Sequence, residues 1–195
     1  MMLHRNFNLL PFLILFLFLN QQCKEDIPIP KPKSFLKINF PNKEYHKIES
    51  ECPFSFNIPN YSSWEKIFPN SPKCDEAVIF PKFKAELICK YYELDSNLYE
   101  LEEKIFSSIE SHKKFADNGI LKKAIQNQEK KIYGLTFEIT GNSAVNYKFY
   151  LTDQSKHFFT GELLFRIKPN YDSLKPIIKF IEKDIDEMIS SFEWK

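Results

Sequence analysis

The stretch IYGLTFEITGNSAVNYKFYLTDQSKHFFTGELLFRI, Ile132 to Ile167, decides the fold class of this 195-residue chain. Apolar and polar residues alternate through it with period two, the signature of strands rather than helices. In the first strand Tyr133, Leu135, Phe137 and Ile139 oppose Gly134, Thr136 and Glu138. In the second, Val145, Tyr147, Phe149 and Leu151 oppose Asn146, Lys148 and Tyr150. In the third, Phe159, Gly161, Leu163, Phe165 and Ile167 oppose Phe158, Thr160, Glu162, Leu164 and Arg166. The connections Thr140 to Ala144 and Thr152 to His157 are short and rich in Gly, Asn, Asp and Ser, so the three strands form an antiparallel meander, expected to keep one wetter face.

Helices flank the meander. Asn97 reads as an N-cap with Glu100 three residues on, and Leu98, Leu101, Ile105, Phe106 and Ile109 follow at helical spacing. A short helix over Ile120, Leu121, Ala124 and Ile125 is predicted after Asp117-Asn118-Gly119. The strongest pattern is C-terminal: Leu174, Ile177, Ile178, Ile181, Ile185, Met188, Ile189 and Phe192 make one apolar stripe. Asp172 or Ser173 is its expected cap, Pro176 falls in its first turn, and Lys179, Glu182, Lys183 and Glu187 are its solvated face. Glu182, Asp184 and Asp186 read as surface charges.

Upstream, Phe35 to Phe40 reads as a strand ended by Pro41, and Phe83 to Tyr91 as another, with Cys89 a buried thiol on its apolar face. Between Pro41 and Pro81 the chain reads as irregular. The fold class is therefore α+β: an antiparallel sheet packed against a long C-terminal helix and one or two others, similar in pattern to the PsbP-type sandwich.

The chain has 43% hydrophobic residues, enough for one core. Leaving out residues 1–22 removes Arg5 and no acid, so 27 − 1 = 26 basic residues face 26 acidic ones. A balanced charge implies no nucleic-acid partner.

Residues 1–22 read as a signal segment, with an apolar run from Leu9 to Leu19 too short for a span of about 20 residues. Cys23 follows, placed like the lipidated cysteine of bacterial lipoproteins, although Asn20, Gln21 and Gln22 replace the small residues usual before it. The other reading is an ordinary signal peptide or uncleaved anchor helix, with Cys23 incidental. Residues 23–33, with Pro28, Pro30 and Pro32, are expected to form an extended tether of about 30 Å. Lys24-Glu25-Asp26 resembles a surface-export signal of Bacteroidota lipoproteins, or is a charged spacer. Residues 34–195 are expected to make a single globular domain.

Cys52 and Cys74 are candidates for a disulfide in an exported chain. No two cysteines lie at zinc-site spacing, so no metal is expected. No nucleophile elbow, phosphate loop, histidine-pair helix or Cys-x-x-Cys motif occurs, and no catalytic residue or cofactor is assigned. Asp153, Lys156 and His157 form the one polar cluster of the meander, read first as turn chemistry. With Asn142 they make a candidate partner surface. Tyr45, Phe54, Phe56, Tyr61 and Trp64 are candidates to line a pocket for a small ligand or envelope polymer.

Several blocks carry a family resemblance: Tyr133-Gly134, Gly141-Asn142-Ser143-Ala144, Phe149-Tyr150-Leu151-Thr152-Asp153, Lys156-His157-Phe158 and Gly161, with Cys52-Pro53-Phe54-Ser55-Phe56, Phe80-Pro81-Lys82-Phe83-Lys84-Ala85, Pro169-Asn170-Tyr171-Asp172 and Trp194-Lys195 in order around them. The chain resembles the GldD family of gliding motility-associated lipoproteins of Bacteroidota. The resemblance implies a lipid-anchored accessory component of gliding motility and type IX secretion without known enzymatic activity. It further implies membrane association through the lipid on Cys23, a palmitate-type anchor in the cell envelope with the outer membrane favoured over the inner, a periplasmic or surface-exposed domain, and partners among other gliding and secretion envelope proteins.

Overall fold

A computed structural model describes residues 38–116 and 119–195. The signal segment, Cys23, the tether, Ser34 and residues 35–37 of the first expected strand lie outside the described residues, and 38–40 form no strand. The elements in order are β1 (Tyr45–Lys47), β2 (Phe54–Ser55), β3 (Asn57–Pro59), β4 (Ser63–Lys66), β5 (Glu76–Phe80), β6 (Ala85–Glu93), α1 (Leu98–His112), β7 (Ile120–Asn127), β8 (Ile132–Ile139), β9 (Val145–Thr152), β10 (His157–Phe165), α2 (Tyr171–Ser191) and β11 (Glu193–Trp194). Seven strands form one antiparallel sheet in the order β4-β5-β6-β10-β9-β8-β7. The meander is its β8-β9-β10 portion.

Each face of that sheet meets a different helix. Leu87, Cys89, Phe149, Leu151, Phe159 and Leu163 point to the face covered by Ile181, Ile185 and Met188 of α2. Phe137, Ile139, Tyr150 and Phe158 point the other way and pack on Leu101, Ile105 and Ile109 of α1. The expectation of one wetter face is corrected here. Register pairs Phe137 with Lys148 and Glu138 with Tyr147, so the apolar faces of β8 and β9 are opposite faces of the sheet. With a helix on each side, every residue of β9 is buried.

Four further corrections follow from tertiary context. Ile120–Ile125 is strand β7, not a helix: Ile120, Lys122 and Ala124 lie on one face and Leu121, Lys123 and Ile125 on the other, in full register with β8. Pairing with an adjacent strand overrode weak helical spacing. The Pro41–Pro81 segment is not irregular, since it holds β1 to β5. Asn97 precedes α1 as expected, but its carboxamide accepts from Asp95 N at 3.1 Å and caps nothing in the helix. Asn170, not Asp172 or Ser173, caps α2, accepting from Ser173 N at 3.4 Å, and Pro176 lies inside the helix, where it withholds one backbone hydrogen bond.

The α2 core is aromatic. Phe54, Phe56, Phe159 and Phe192 are all fully buried, and Phe54 stands 4.8 Å from Phe159 and 5.9 Å from Phe192, ring centre to ring centre. The short β2–β11 pair, Ser55 with Glu193 and Phe54 with Trp194, brings the first and last parts of the domain together over these rings. Removing one such ring costs about 3–5 kcal/mol.

Asp184 is buried at 2% exposure, which corrects its reading as a surface charge. It accepts from Lys43 Nζ at 2.5 Å, Tyr45 Oη at 2.9 Å and Tyr61 Oη at 2.5 Å. A carboxylate removed from water needs such partners, and here three side chains of the N-terminal segment supply them. Burial and the Asp184 carboxylate push both phenols well above the ordinary tyrosine range. Phe40 stacks on Phe180 of the same helix, ring centres 4.3 Å apart. Glu182 is also buried, and burial raises its carboxyl above the usual range despite Lys179 at 2.9 Å.

Candidate functional site

The α1 side of the sheet is only half covered. α1 lies over β8, β9 and part of β10, and beyond it the floor formed by β5, β6 and β10 is open. The opening is a trough of about 820 Å3 whose floor includes Ala77, Ile79, Ile88 and Leu164. Its outer wall is the loop after β4, where Phe68 is 68% exposed. That loop is closed on itself: Phe68 N donates to Ser71 Oγ at 2.9 Å and Ser71 N to Phe68 O at 3.0 Å. A second recess of about 240 Å3 adjoins the trough under α1 and shares Ile88, Lys90 and Glu162 with it.

Two of the acids in the trough, Glu86 and Glu162, are held in ion pairs. Arg166 donates to Glu86 Oε2 through Nε at 2.9 Å and Nη2 at 2.5 Å. Lys148, whose side chain is 4% exposed, pairs with Glu162 and donates to Ser108 Oγ of α1 at 2.9 Å. His112 Nδ1 lies 3.0 Å from Ser143 Oγ beside it, and burial together with the Lys148 charge lowers the His112 pKa. Burial also raises the Asp75 carboxyl, which accepts from Tyr91 N at 3.3 Å. Lys90 is exposed and makes no ion pair with any described residue. Such a surface, an open apolar floor with charges of both signs around it, suits a protein segment better than a small molecule, because small-molecule sites enclose most of their ligand.

The residues singled out in sequence lie elsewhere. Asn142 is in the β8–β9 turn, where its Oδ1 accepts from Tyr171 N at 2.8 Å. Asp153, Lys156 and His157 are at the other end of β9. The four therefore do not form one surface. Asp153 accepts from the backbone N–H groups of Ser155, Lys156 and His157 at 3.0, 2.8 and 2.8 Å, and these bonds hold its carboxyl at about 2. His157 Nδ1 lies 2.8 Å from Tyr91 Oη, and its ring stacks on Trp194. Neither residue lines the trough.

Of the five aromatics read as pocket-lining, Phe54 and Phe56 are fully buried, and Tyr45 and Tyr61 are bound to Asp184. Trp64 packs edge-on against Phe56, ring centres 5.2 Å apart. The pocket they were expected to line is thus replaced by core. A disulfide joins Cys52 to Cys74, Cα atoms 5.7 Å apart, and Cys89 is a free, buried thiol. Among the described residues no cluster of three His, Cys, Asp or Glu side chains is placed to hold a metal ion, and no helix is long and apolar enough to cross a membrane.

Sequence reading missed the trough itself. Its signal was present in β6, where Glu86, Ile88, Lys90 and Tyr92 alternate with the buried Ala85, Leu87 and Cys89. A strand mixed on one face and apolar on the other, in a sheet wider than one helix can cover, leaves an unroofed floor.

No curated protein matches the chain by sequence. Among solved structures it is similar to the solution structure of cyanobacterial PsbP (CyanoP) from Synechocystis, at 12% identity and a TM-score of 0.46, covering 82% of this chain and 98% of that one. The family profile described as gliding motility lipoprotein GldD matches residues 25–194, which takes in both helices, the whole seven-stranded sheet and the trough. The chain belongs to the GldD family of gliding motility lipoproteins.

Proposed function

We propose that this protein is a lipid-anchored, non-enzymatic accessory component of the gliding motility and type IX secretion machinery, and that the trough beside α1 is the surface through which it engages another envelope protein. The family match over residues 25–194 carries the reading. A lipoprotein family implies envelope association, and in this reading Cys23 bears the lipid, with the outer membrane the favoured site and the domain periplasmic or surface-exposed. The trough supports a binding role because an open, apolar floor ringed by charge has the composition of a protein interface.

A clean deletion is expected to abolish colony spreading and secretion of cargo bearing the carboxy-terminal secretion signal. Normal secretion in that strain overturns the secretion role. Cys23→Ala is expected to move the protein out of the membrane fraction and to remove labelling by a palmitate analogue. Retention of both sinks the anchor assignment. A folded Ile88→Asp, Leu164→Asp double variant is expected to behave like the deletion, since it places two charges on the floor. Wild-type spreading with that variant removes the trough from the function.

A further inference from the structure

The two ends of the trough differ in charge. The recess under α1 is lined by Lys90, Lys104 and Lys148 against the single acid Glu162. Lys148 and Glu162 neutralise each other, and Lys104 bonds to Glu100 of its own helix at 2.9 Å. Lys90 makes no ion pair within 4 Å among the described residues, and the nearby charge acting on it is the Asp75 carboxylate at the edge of the trough. Thr160 stands opposite Lys90 in the β10–β6 register on the same face, and its hydroxyl makes no hydrogen bond to a described residue. An ammonium and a hydroxyl side by side, next to the apolar Ile88, Leu101, Ile105 and Phe158, are the two donors and the dry wall that a carboxylate on a short carbon chain requires. The rest of the trough has the opposite balance: Glu65, Asp75 and Glu86 against Lys66 and Arg166 around the apolar floor residues Ala77, Ile79 and Leu164, with Arg166 held by Glu86.

From this charge complementarity we infer that the trough receives an extended segment of a partner protein, with an Asp or Glu side chain seated in the recess against Lys90 and Thr160 and neighbouring apolar side chains on Ile79, Ile88 and Leu164. The inference rests on the trough being the working surface, as proposed above, and adds the chemistry of the occupant. Strands lie about 4.8 Å apart, so the passage from β10 across β6 to β5 and the Phe68 loop is about 15 Å, the reach of four or five extended residues. An acid at one residue with apolar neighbours two positions away matches that path, since alternate side chains of an extended chain point the same way.

The test uses the full-length protein in its own cells, with a photo-crosslinking amino acid replacing Phe68 at the rim. A cross-link to another envelope protein is expected, to a peptide containing Asp or Glu within a few residues of the link. Lys90→Glu, at an exposed position where folding is checked by thermal melting, is expected to lower cross-link yield and spreading about tenfold, the effect of losing about 1.4 kcal/mol. Reversing the partner's acid to lysine in the Lys90→Glu strain is expected to restore both. A cross-link whose yield is unchanged by Lys90→Glu, or a linked peptide without an acid, overturns the acidic anchor while the trough reading stands. Absence of any cross-link to another protein, together with wild-type spreading of the Ile88→Asp, Leu164→Asp variant, overturns both.

Discussion

Lys148 and Glu162 face each other across β9 and β10 and form an ion pair beneath α1, with the Lys148 side chain 4% exposed and that of Glu162 33% exposed. The pair joins the covered half of the sheet to the open half. Lys148 also reaches Ser108 of α1 at 2.9 Å, so one ammonium fixes where the helix ends its cover and the trough begins.

Breaking that pair is expected to destabilise the domain. Lys148→Met should cost about 2 kcal/mol, less than the 3–5 kcal/mol of a fully buried pair because Glu162 regains some water. The Lys148→Met, Glu162→Leu double variant should recover part of the loss, giving a coupling energy of about 1 kcal/mol in urea unfolding. Strict additivity of the two single changes would show that the pair contributes nothing of its own.

The disulfide between Cys52 and Cys74 closes a loop of sequence separation 22. A loop of that size is expected to stabilise by about 3 kcal/mol through the unfolded state. Cys52→Ala, Cys74→Ala should lower the melting temperature by about 5 °C or more, and reductant should do the same to the wild type. Cys89 is expected to stay unreactive to thiol reagents until unfolding, because burial pushes its thiol well above its ordinary value.

Asp153 gives a pH dependence with a defined sign. Its carboxyl titrates at about 2 in the folded chain against an ordinary 3.8, so its stabilisation is present above about 3.8 and is lost as pH falls toward 2. Solvent at this half-exposed turn screens the effect to about 1 kcal/mol. Asp153→Asn should therefore reduce the loss of stability between pH 4 and pH 2, as read by denaturant titrations at fixed pH. An unaltered acid limb would remove Asp153 from the account.

Two glycines should respond differently to alanine. A Cβ on Gly134 would fall on the backbone carbonyl oxygen of Tyr150, whereas one on Gly161 would meet the Phe149 ring. A ring turns about its χ angles and a strand backbone does not. Gly134→Ala should cost about 3 kcal/mol and Gly161→Ala about 1–2 kcal/mol by chemical denaturation. The reverse order would mean that β8 and β9 separate more readily than the side chains between them.

Legibility in the sequence followed how local the determining interaction was. The meander and both long helices were readable because their periodicity is set within one element. β7 was not, since Ile120 to Ile125 fits a helical stripe as well as a strand until β8 is beside it. The burial of Asp184 was invisible for the same reason, as its partners Lys43, Tyr45 and Tyr61 lie more than 120 positions away. The trough required knowing that the sheet has seven strands and that α1 spans only part of them.

The bonds to Asp184 have a mechanical meaning. Covalent continuity means that any tension reaching the domain from the direction of Cys23 arrives at Phe40 and Lys43, which are stacked on Phe180 and bonded to Asp184. The load enters the middle of α2 sideways, spread over a stacked ring, a salt bridge and two phenols, and passes into the aromatic core under that helix. α1 and the trough lie on the opposite face of the sheet from these contacts. Under the lipid-anchored function proposed above, a pull on the anchor would meet the α2 layer first and the trough face last.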